Sequence, residues 1–334
     1  MTTNIRGRLQ GLAGLAGTLL VTGCATARAG LPLDYRVGVY EERATLYQPA
    51  PRVRANAPAS ARWPVVVVLH GGFWGDGKDT EDIALRLGER GVLAVVPTYR
   101  GESRRLDGQA SEGAVEFCKG EVDDVRALLR DLEKRADVDP TRIALLGFSH
   151  GGCVALRTAA REPGLAAVVT FDAPTDAGYT ARFLGAHPFG MFAFAWWLRN
   201  EVLTFVGADP EDAPAAWKAR SPLYETDTMR APLVLVHGTD DVLVPVVETC
   251  ALRDALRVRG HPVEERYFGK DGVPDPSPTP ACAPAPPASG SATPASAVQV
   301  WYFEGEGHLF SQEAQQGALA RVFDFLTSTL SPAR

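Results

Sequence analysis

The hexapeptide Gly147-Phe148-Ser149-His150-Gly151-Gly152 follows the apolar run Ile143 to Leu146 and opens a helical pattern. A nucleophilic serine needs that setting, because small neighbours let the backbone turn sharply and the turn presents the hydroxyl beside the positive end of a helix. The hydroxyl attacks a carbonyl only when a base takes its proton, and an imidazole serves once a carboxylate holds its tautomer. Both partners lie further along the chain, each just after an extended apolar run. Asp240 and Asp241 stand in His237-Gly238-Thr239-Asp240-Asp241-Val242-Leu243-Val244-Pro245, and His308 ends Glu304-Gly305-Glu306-Gly307-His308. The chemistry these residue types support is acyl transfer to water.

The chain order Ser149, Asp241, His308 resembles the triad of the α/β-hydrolase superfamily, over roughly Tyr35 to Leu330. Asp240 is the rival acid, but spacing to Val244-Pro245 in the resembling motif favours Asp241. Two subgroups are echoed. Ser221-Pro222-Leu223 and the stretch from Ala231 to Asp241 are similar to prolyl-oligopeptidase-like serine hydrolases. His70-Gly71-Gly72-Phe73-Trp74 instead resembles the oxyanion loop of carboxylesterases and arylformamidases. The resemblance implies an oxyanion hole built from backbone N–H groups of Gly71, Gly72, Phe73 and His150. The peptidase subgroup usually presents a tyrosine there, and too few residues precede the first core strand to hold its propeller. The expectation is therefore a serine hydrolase that cleaves small-molecule carboxylic esters through an acyl-enzyme. Cleavage of short peptides or formamides is the alternative activity, and a non-catalytic envelope lipoprotein of the same fold is the alternative class.

Parts so far apart in sequence need a scaffold. Val65 to Leu69, Val92 to Val96, Ile143 to Leu146, Ala167 to Phe171 and Leu233 to Val236 are runs of the kind buried on both faces of a parallel sheet. Helical patterns at 80–90, 121–135, 151–161 and 246–259 alternate with them, and 314–330 reads as a closing helix. Tyr35 to Tyr47 alternates as a half-buried hairpin does. This predicts one α/β-hydrolase domain over 24–334, a mostly parallel sheet flanked by helices, with two insertions. The aromatic-rich segment 178–217 reads as a helical cap, its aromatics serving either packing or the roof of a pocket. The segment 274–296, with eight Pro and six Ala, lacks periodicity and reads as a disordered insertion joining two strands of a hairpin, 263–268 and 298–303.

Composition narrows the partners. A net charge of −6 across 334 residues, without a basic block, argues against nucleic acid. No internal run approaches the ~20 apolar residues of a membrane span. At the N-terminus, Arg6 and Arg8 precede the apolar stretch Gly11 to Val21, and Val21-Thr22-Gly23-Cys24 resembles the lipobox of bacterial lipoproteins. That resemblance implies a leader over 1–23, a lipid on Cys24, and attachment to a membrane surface in the cell envelope. The remaining Cys118, Cys153, Cys250 and Cys282 would then meet oxidising conditions, with pairing open and Cys153 read as a small buried hydrophobe. No spacing suggests a metal or cofactor. Gly72 to Lys78 fits G-x-x-x-x-G-K, but Asp79 stands where a phosphate loop needs Ser or Thr. His70 and His237 read as structural, and His187 and His261 as surface histidines.

Overall fold

Strands that carry apolar side chains at successive positions must be covered on both faces. The computed structural model, which describes residues 30–186, 193–269, 271–284 and 297–332, meets this demand with a nine-stranded sheet between two helical layers. Its strands are β1 (Leu31–Val37), β2 (Tyr40–Tyr47), β3 (Trp63–Leu69), β4 (Leu93–Thr98), β5 (Val138–Phe148), β6 (Ala167–Phe171), β7 (Leu233–Gly238), β8 (Val263–Phe268) and β9 (Val298–Phe303). They lie in the order β1-β2-β4-β3-β5-β6-β7-β9-β8. Only the hairpin β1-β2 and the β2-β4 pair are antiparallel. This is the α/β-hydrolase fold.

The helices are α1 (Pro51–Ala55), α2 (Lys78–Gly88), α3 (Gly120–Glu133), α4 (His150–Ala159), α5 (Ala177–Ala186), α6 (Ala193–Val206), α7 (Pro214–Lys218), α8 (Val247–Val258) and α9 (Gln312–Thr329). The two-residue period of a strand splits the core. Val65, Val67 and Leu69 of β3 face α3, α4 and α8 with Leu128, Leu156 and Leu252. Val66 and Val68 face α2 and α9 with Ile83, Leu87 and Phe323. Three helices, α5 to α7, fill the interval between β6 and β7 that the aromatic segment 178–217 marks. Their root is tied to α8 by Glu248, whose buried carboxylate accepts from the N–H of Thr175 (2.7 Å) and Asp176 (2.9 Å) and from the Thr180 hydroxyl (2.6 Å).

The hairpin expected from 263–268 and 298–303 is not formed. β8 and β9 run parallel, with Val263 beside Val298, Tyr267 beside Tyr302 and Phe268 beside Phe303. Both strands read V-x-x-x-Y-F, so equal side chains meet in register and their rings stack at 4.9 and 4.8 Å.

The first part of the Pro/Ala-rich connection is ordered, contrary to expectation. After β8 the chain turns back along the outer edge of that strand, where Phe268 bridges to Pro274 and the Asp275 N–H donates to the Tyr267 carbonyl (2.9 Å). A disulfide then joins Cys282 to Cys250 of α8, and Arg253 donates to the Ala283 carbonyl at 2.8 Å. The order comes from these tethers, since the segment has few large side chains to bury. Residues 285–296 lie outside the described residues, as do the leader with Cys24, and His187. Cys153 is buried but is no free thiol, because it pairs with Cys118. His261 is buried rather than superficial, at 3% exposure. Among the described residues, no helix is long and apolar enough to cross a membrane.

Candidate active site

The turn between β5 and α4 holds Ser149 at φ 49°, ψ −117°, a left-handed conformation that costs a non-glycine residue of order 1–3 kcal/mol. The surroundings enforce it. A Cβ on Gly147 would strike the Gly151 carbonyl, and one on Gly151 would strike the carbonyl oxygens of Leu69 and His70. Helix α4 therefore enters closer to β3 and β5 than any side chain permits, and the Ser149 N–H is fixed by the Phe171 carbonyl at 2.8 Å. The sequence explained these glycines by tight turning alone; their stricter reason is contact with neighbouring backbone.

The loops after β7 and β9 bring the other two residues to this turn. The Ser149 hydroxyl lies 2.9 Å from Nε2 of His308, and Nδ1–H of His308 donates to Oδ2 of Asp241 at 2.7 Å. Oδ1 of Asp241 accepts the N–H groups of Leu243 (2.8 Å) and Val244 (2.9 Å), which aims the carboxylate. Asp240 is exposed and its carboxylate accepts from the Thr239 hydroxyl (3.4 Å), so Asp241 is the acid that reaches the histidine. The two loops are stitched together: the Thr239 hydroxyl accepts from the Gly305 N–H (2.8 Å), and the Asp240 N–H donates to the Glu306 carbonyl (2.9 Å). Glu306 turns inward and accepts from both the hydroxyl (2.9 Å) and N–H (2.5 Å) of Ser311, which starts α9.

Electrostatics fit a base and its acid. Burial works against charge on His308, but hydrogen bonding to Asp241 and the charges of Asp241 and Asp172 outweigh it and raise its pKa. Burial likewise opposes ionisation of Asp241, yet hydrogen bonds with His237 and His308 hold its carboxyl below the usual range. His237 ends β7, donates from Nε2 to the Val244 carbonyl at 2.8 Å, and faces Asp241 at 3.5 Å and Asp172 at 3.9 Å. Against the opposing effect of burial, these carboxylates push its pKa up to about 9. It thus sits beside the acid as well as bonding the loops. Asp172, at φ 47° just after β6, accepts from the Gly238 N–H (3.0 Å). Sequence reading passed over Asp172, although it shows the signal that picked out Asp241: an acid just past the C-terminal end of a buried strand.

One donor atom each from Asp172, Asp241 and His308 lies within a 4.8 Å span, the spacing of a cation's ligands. All three residues are already committed to protein partners, however, through Gly238, Leu243, Val244 and the His308–Asp241 bond. Nor does the loop 72–78 have the chemistry of a phosphate cradle. Asp76 fills it, accepting from the Arg105 N–H (2.9 Å) and the Thr98 hydroxyl (3.2 Å).

The segment 70–74 lies against the serine turn. A Cβ on Gly71 would sit 3.2 Å from Ser149 Cβ, and Gly72 takes φ +75°. As first residue of α4, His150 has an N–H without an intrahelical acceptor. Phe73 packs edge-on against Phe205 of α6 (4.9 Å), and Trp74 meets Trp197 (6.0 Å), which in turn touches Phe194 (5.5 Å). The cap therefore carries an aromatic wall beside Gly71, Gly72 and Phe73.

Fold and site together define a serine hydrolase of the α/β-hydrolase fold. Residues 52–187 match the Dienelactone hydrolase family. The chain is 26% identical over 201 residues to the Uncharacterized peptidase YtmA of Bacillus subtilis (strain 168), covering 60% of this chain and 72% of that protein. It is 23% identical to the Dipeptidyl aminopeptidase BIII of Pseudoxanthomonas mexicana, of which it spans 31%, with 66% of this chain covered. Among solved structures, a Mycobacterium tuberculosis puromycin-hydrolyzing peptidase superposes with TM-score 0.66 at 20% identity, over 90% of this chain and 40% of that one. The Pyrococcus furiosus esterase Pf2001 superposes with TM-score 0.57 at 16% identity, over 90% of this chain and 93% of that one.

Proposed function

We propose that the protein hydrolyses small carboxylic esters with apolar acyl or aryl groups through an acyl-enzyme on Ser149. The observation that carries this reading is the unbroken line from the Ser149 hydroxyl through His308 to Asp241, at 2.9 and 2.7 Å. His308 takes the serine proton as the oxygen attacks the carbonyl carbon, and Asp241 holds the resulting imidazolium. The developing oxyanion faces N–H groups of His150 and of the loop Gly71-Gly72-Phe73. His308 returns the proton to the leaving alkoxide, then activates water to release the acid. The aromatic wall of Phe73, Trp74, Trp197 and Phe205 supports an apolar substrate. The likeness in fold to an esterase, over 90% of this chain and 93% of that one, supports ester hydrolysis.

A second reading, cleavage of short peptides or acylated amines, is favoured by the peptidases among the relatives. An amide asks more of His308, because its nitrogen leaves only once protonated. The two readings separate by kcat/KM for an unactivated alkyl ester against matched aminoacyl anilides and formylated arylamines. The ester is expected to lead; efficient anilide or formanilide cleavage with negligible ester turnover overturns the assignment.

Our reading of the N-terminal leader is that Cys24 carries lipid and holds the enzyme at an envelope membrane. The disulfides Cys118–Cys153 and Cys250–Cys282 support an oxidising compartment. Cys24→Ser is expected to move the protein from the membrane to the soluble fraction. A mature mass without acyl groups contradicts the reading.

A further inference from the structure

His150 offers more than its backbone. Its buried ring lies behind the segment 71–73, with Nδ1 3.2 Å from the Gly72 carbonyl and Nε2 3.2 Å from the Cys118 N–H. A backbone N–H only donates, so Nε2 accepts, and the proton of the neutral ring resides on Nδ1, where it can only be donated to Gly72. The turn that supplies this N–H is strained: Phe117 and Cys118 both take positive φ, 52° and 56°, without being glycine. Helix α4 holds it there three times from one face. His150 accepts the Cys118 N–H, Cys153 is bonded to its sulfur, and Arg157 donates to its carbonyl. Phe117 stacks on the imidazole at 5.3 Å and 9°, fixing the plane of the ring.

We infer that the His150 side chain is a positioning residue for the oxyanion hole: it holds the Gly72 carbonyl so that the N–H of the Gly72–Phe73 peptide faces the substrate oxygen at Ser149. The two groups of a trans peptide point opposite ways, so anchoring the carbonyl on one side aims the N–H to the other. Gly71, one residue earlier, already abuts Ser149, which puts the aimed N–H beside the nucleophile. The preceding peptide is held in the same manner by His70, whose Nδ1 meets the Gly71 carbonyl at 3.1 Å while Nε2 pairs with buried Glu102 at 3.0 Å. One residue thus serves both halves of the hole, one through its N–H and the other through its ring.

This inference rests on the proposed serine-hydrolase reading, and the test separates the two. Full-length wild type is first treated with a fluorophosphonate probe; lack of labelling at Ser149 sinks that reading and this inference with it. If Ser149 labels, His150→Asn, His150→Gln and His150→Leu are compared. Asparagine restores a donor at the Nδ1 position, whereas glutamine places its amide near Nε2 and leucine supplies no donor. Glutamine and leucine are expected to lower kcat about ten- to a hundredfold with little change in KM, by misaiming one oxyanion donor. Affinity for a trifluoromethyl ketone, which forms an oxyanion on the serine, should fall by the same factor, and asparagine should recover most of both. Equal kcat and ketone affinity across folded variants overturns the inference, as does a loss that asparagine does not repair. Should the leucine variant fail to fold, nitrogen NMR of histidine-labelled wild type, with His150→Asn for assignment, still decides. Protonated Nδ1 and bare Nε2 are expected, and the opposite tautomer refutes the inference.

Discussion

At the scale of single residues, the site depends on which of two adjacent aspartates turns inward. Asp241 does so because its other oxygen is held by the N–H groups of Leu243 and Val244; Asp240 has no such anchor. Asp241→Asn is therefore expected to lower kcat on the order of 10⁴-fold, by stranding His308 in the wrong tautomer, while Asp240→Asn changes it only a few-fold. Steady-state kinetics on the two variants checks the assignment, and the reverse ranking refutes it. The raised pKa of His308 has a sign that can be measured as well. The base works only when neutral, so kcat/KM should climb with pH along an acid limb whose midpoint lies above the ~6.5 of free imidazole. A midpoint below that value would mean that the neighbouring carboxylates do not dominate. Ser149, Asp241 and His308 could be picked out because each lies within five residues of the C-terminal end of a buried strand. The supporting Asp172 and Glu306 were not singled out, since their roles depend on which loops meet across the sheet edge.

At the scale of elements, the main strands and helices could be read from periodicity, with bounds that differ from expectation by up to five residues, at the start of β5. What failed was pairing. Sequence adjacency suggested a hairpin for β8 and β9, yet the repeated V-x-x-x-Y-F pattern is a sign of parallel register, because only then do like residues stand side by side. Cysteine pairing was illegible for a related reason: Cys118 and Cys153 are 35 positions apart, and nothing local says that their elements touch. That bond closes a loop long enough to contribute about 4 kcal/mol by chain entropy alone. Replacing both cysteines by alanine should lower Tm measurably, and the turn at Phe117 and Cys118 should relax because one of its three tethers is gone. Thermal unfolding of the double variant beside the wild type tests this; an unchanged Tm would show that the bond adds no net stability.

At the scale of the molecule, a parallel sheet with a helical layer on each face was evident from composition and patterning, and the cap from its aromatic content. How the sheet ends was not evident. β8 is its last strand, and the returning chain at Pro274 and Asp275 lies along the open side of it. A sheet margin is a template for another chain, and a proline placed there has no N–H with which to continue the ladder. The proline-rich return thus terminates the sheet as a surface for polymerisation. Deleting residues 274–284 should leave the triad in place, with kcat/KM within a few-fold, but it strips the margin and leaves Cys250 without its partner. With Cys250 also replaced by alanine, so that no new disulfide can form, the shortened protein is expected to self-associate as concentration rises, which sedimentation velocity would reveal. A deletion variant that stays monomeric across that range would mean that the margin is guarded by its own charges, Glu264 and Arg266. Otherwise, a segment with almost no side chains to bury has a solubility role: it keeps one copy of the enzyme from becoming the seed of many.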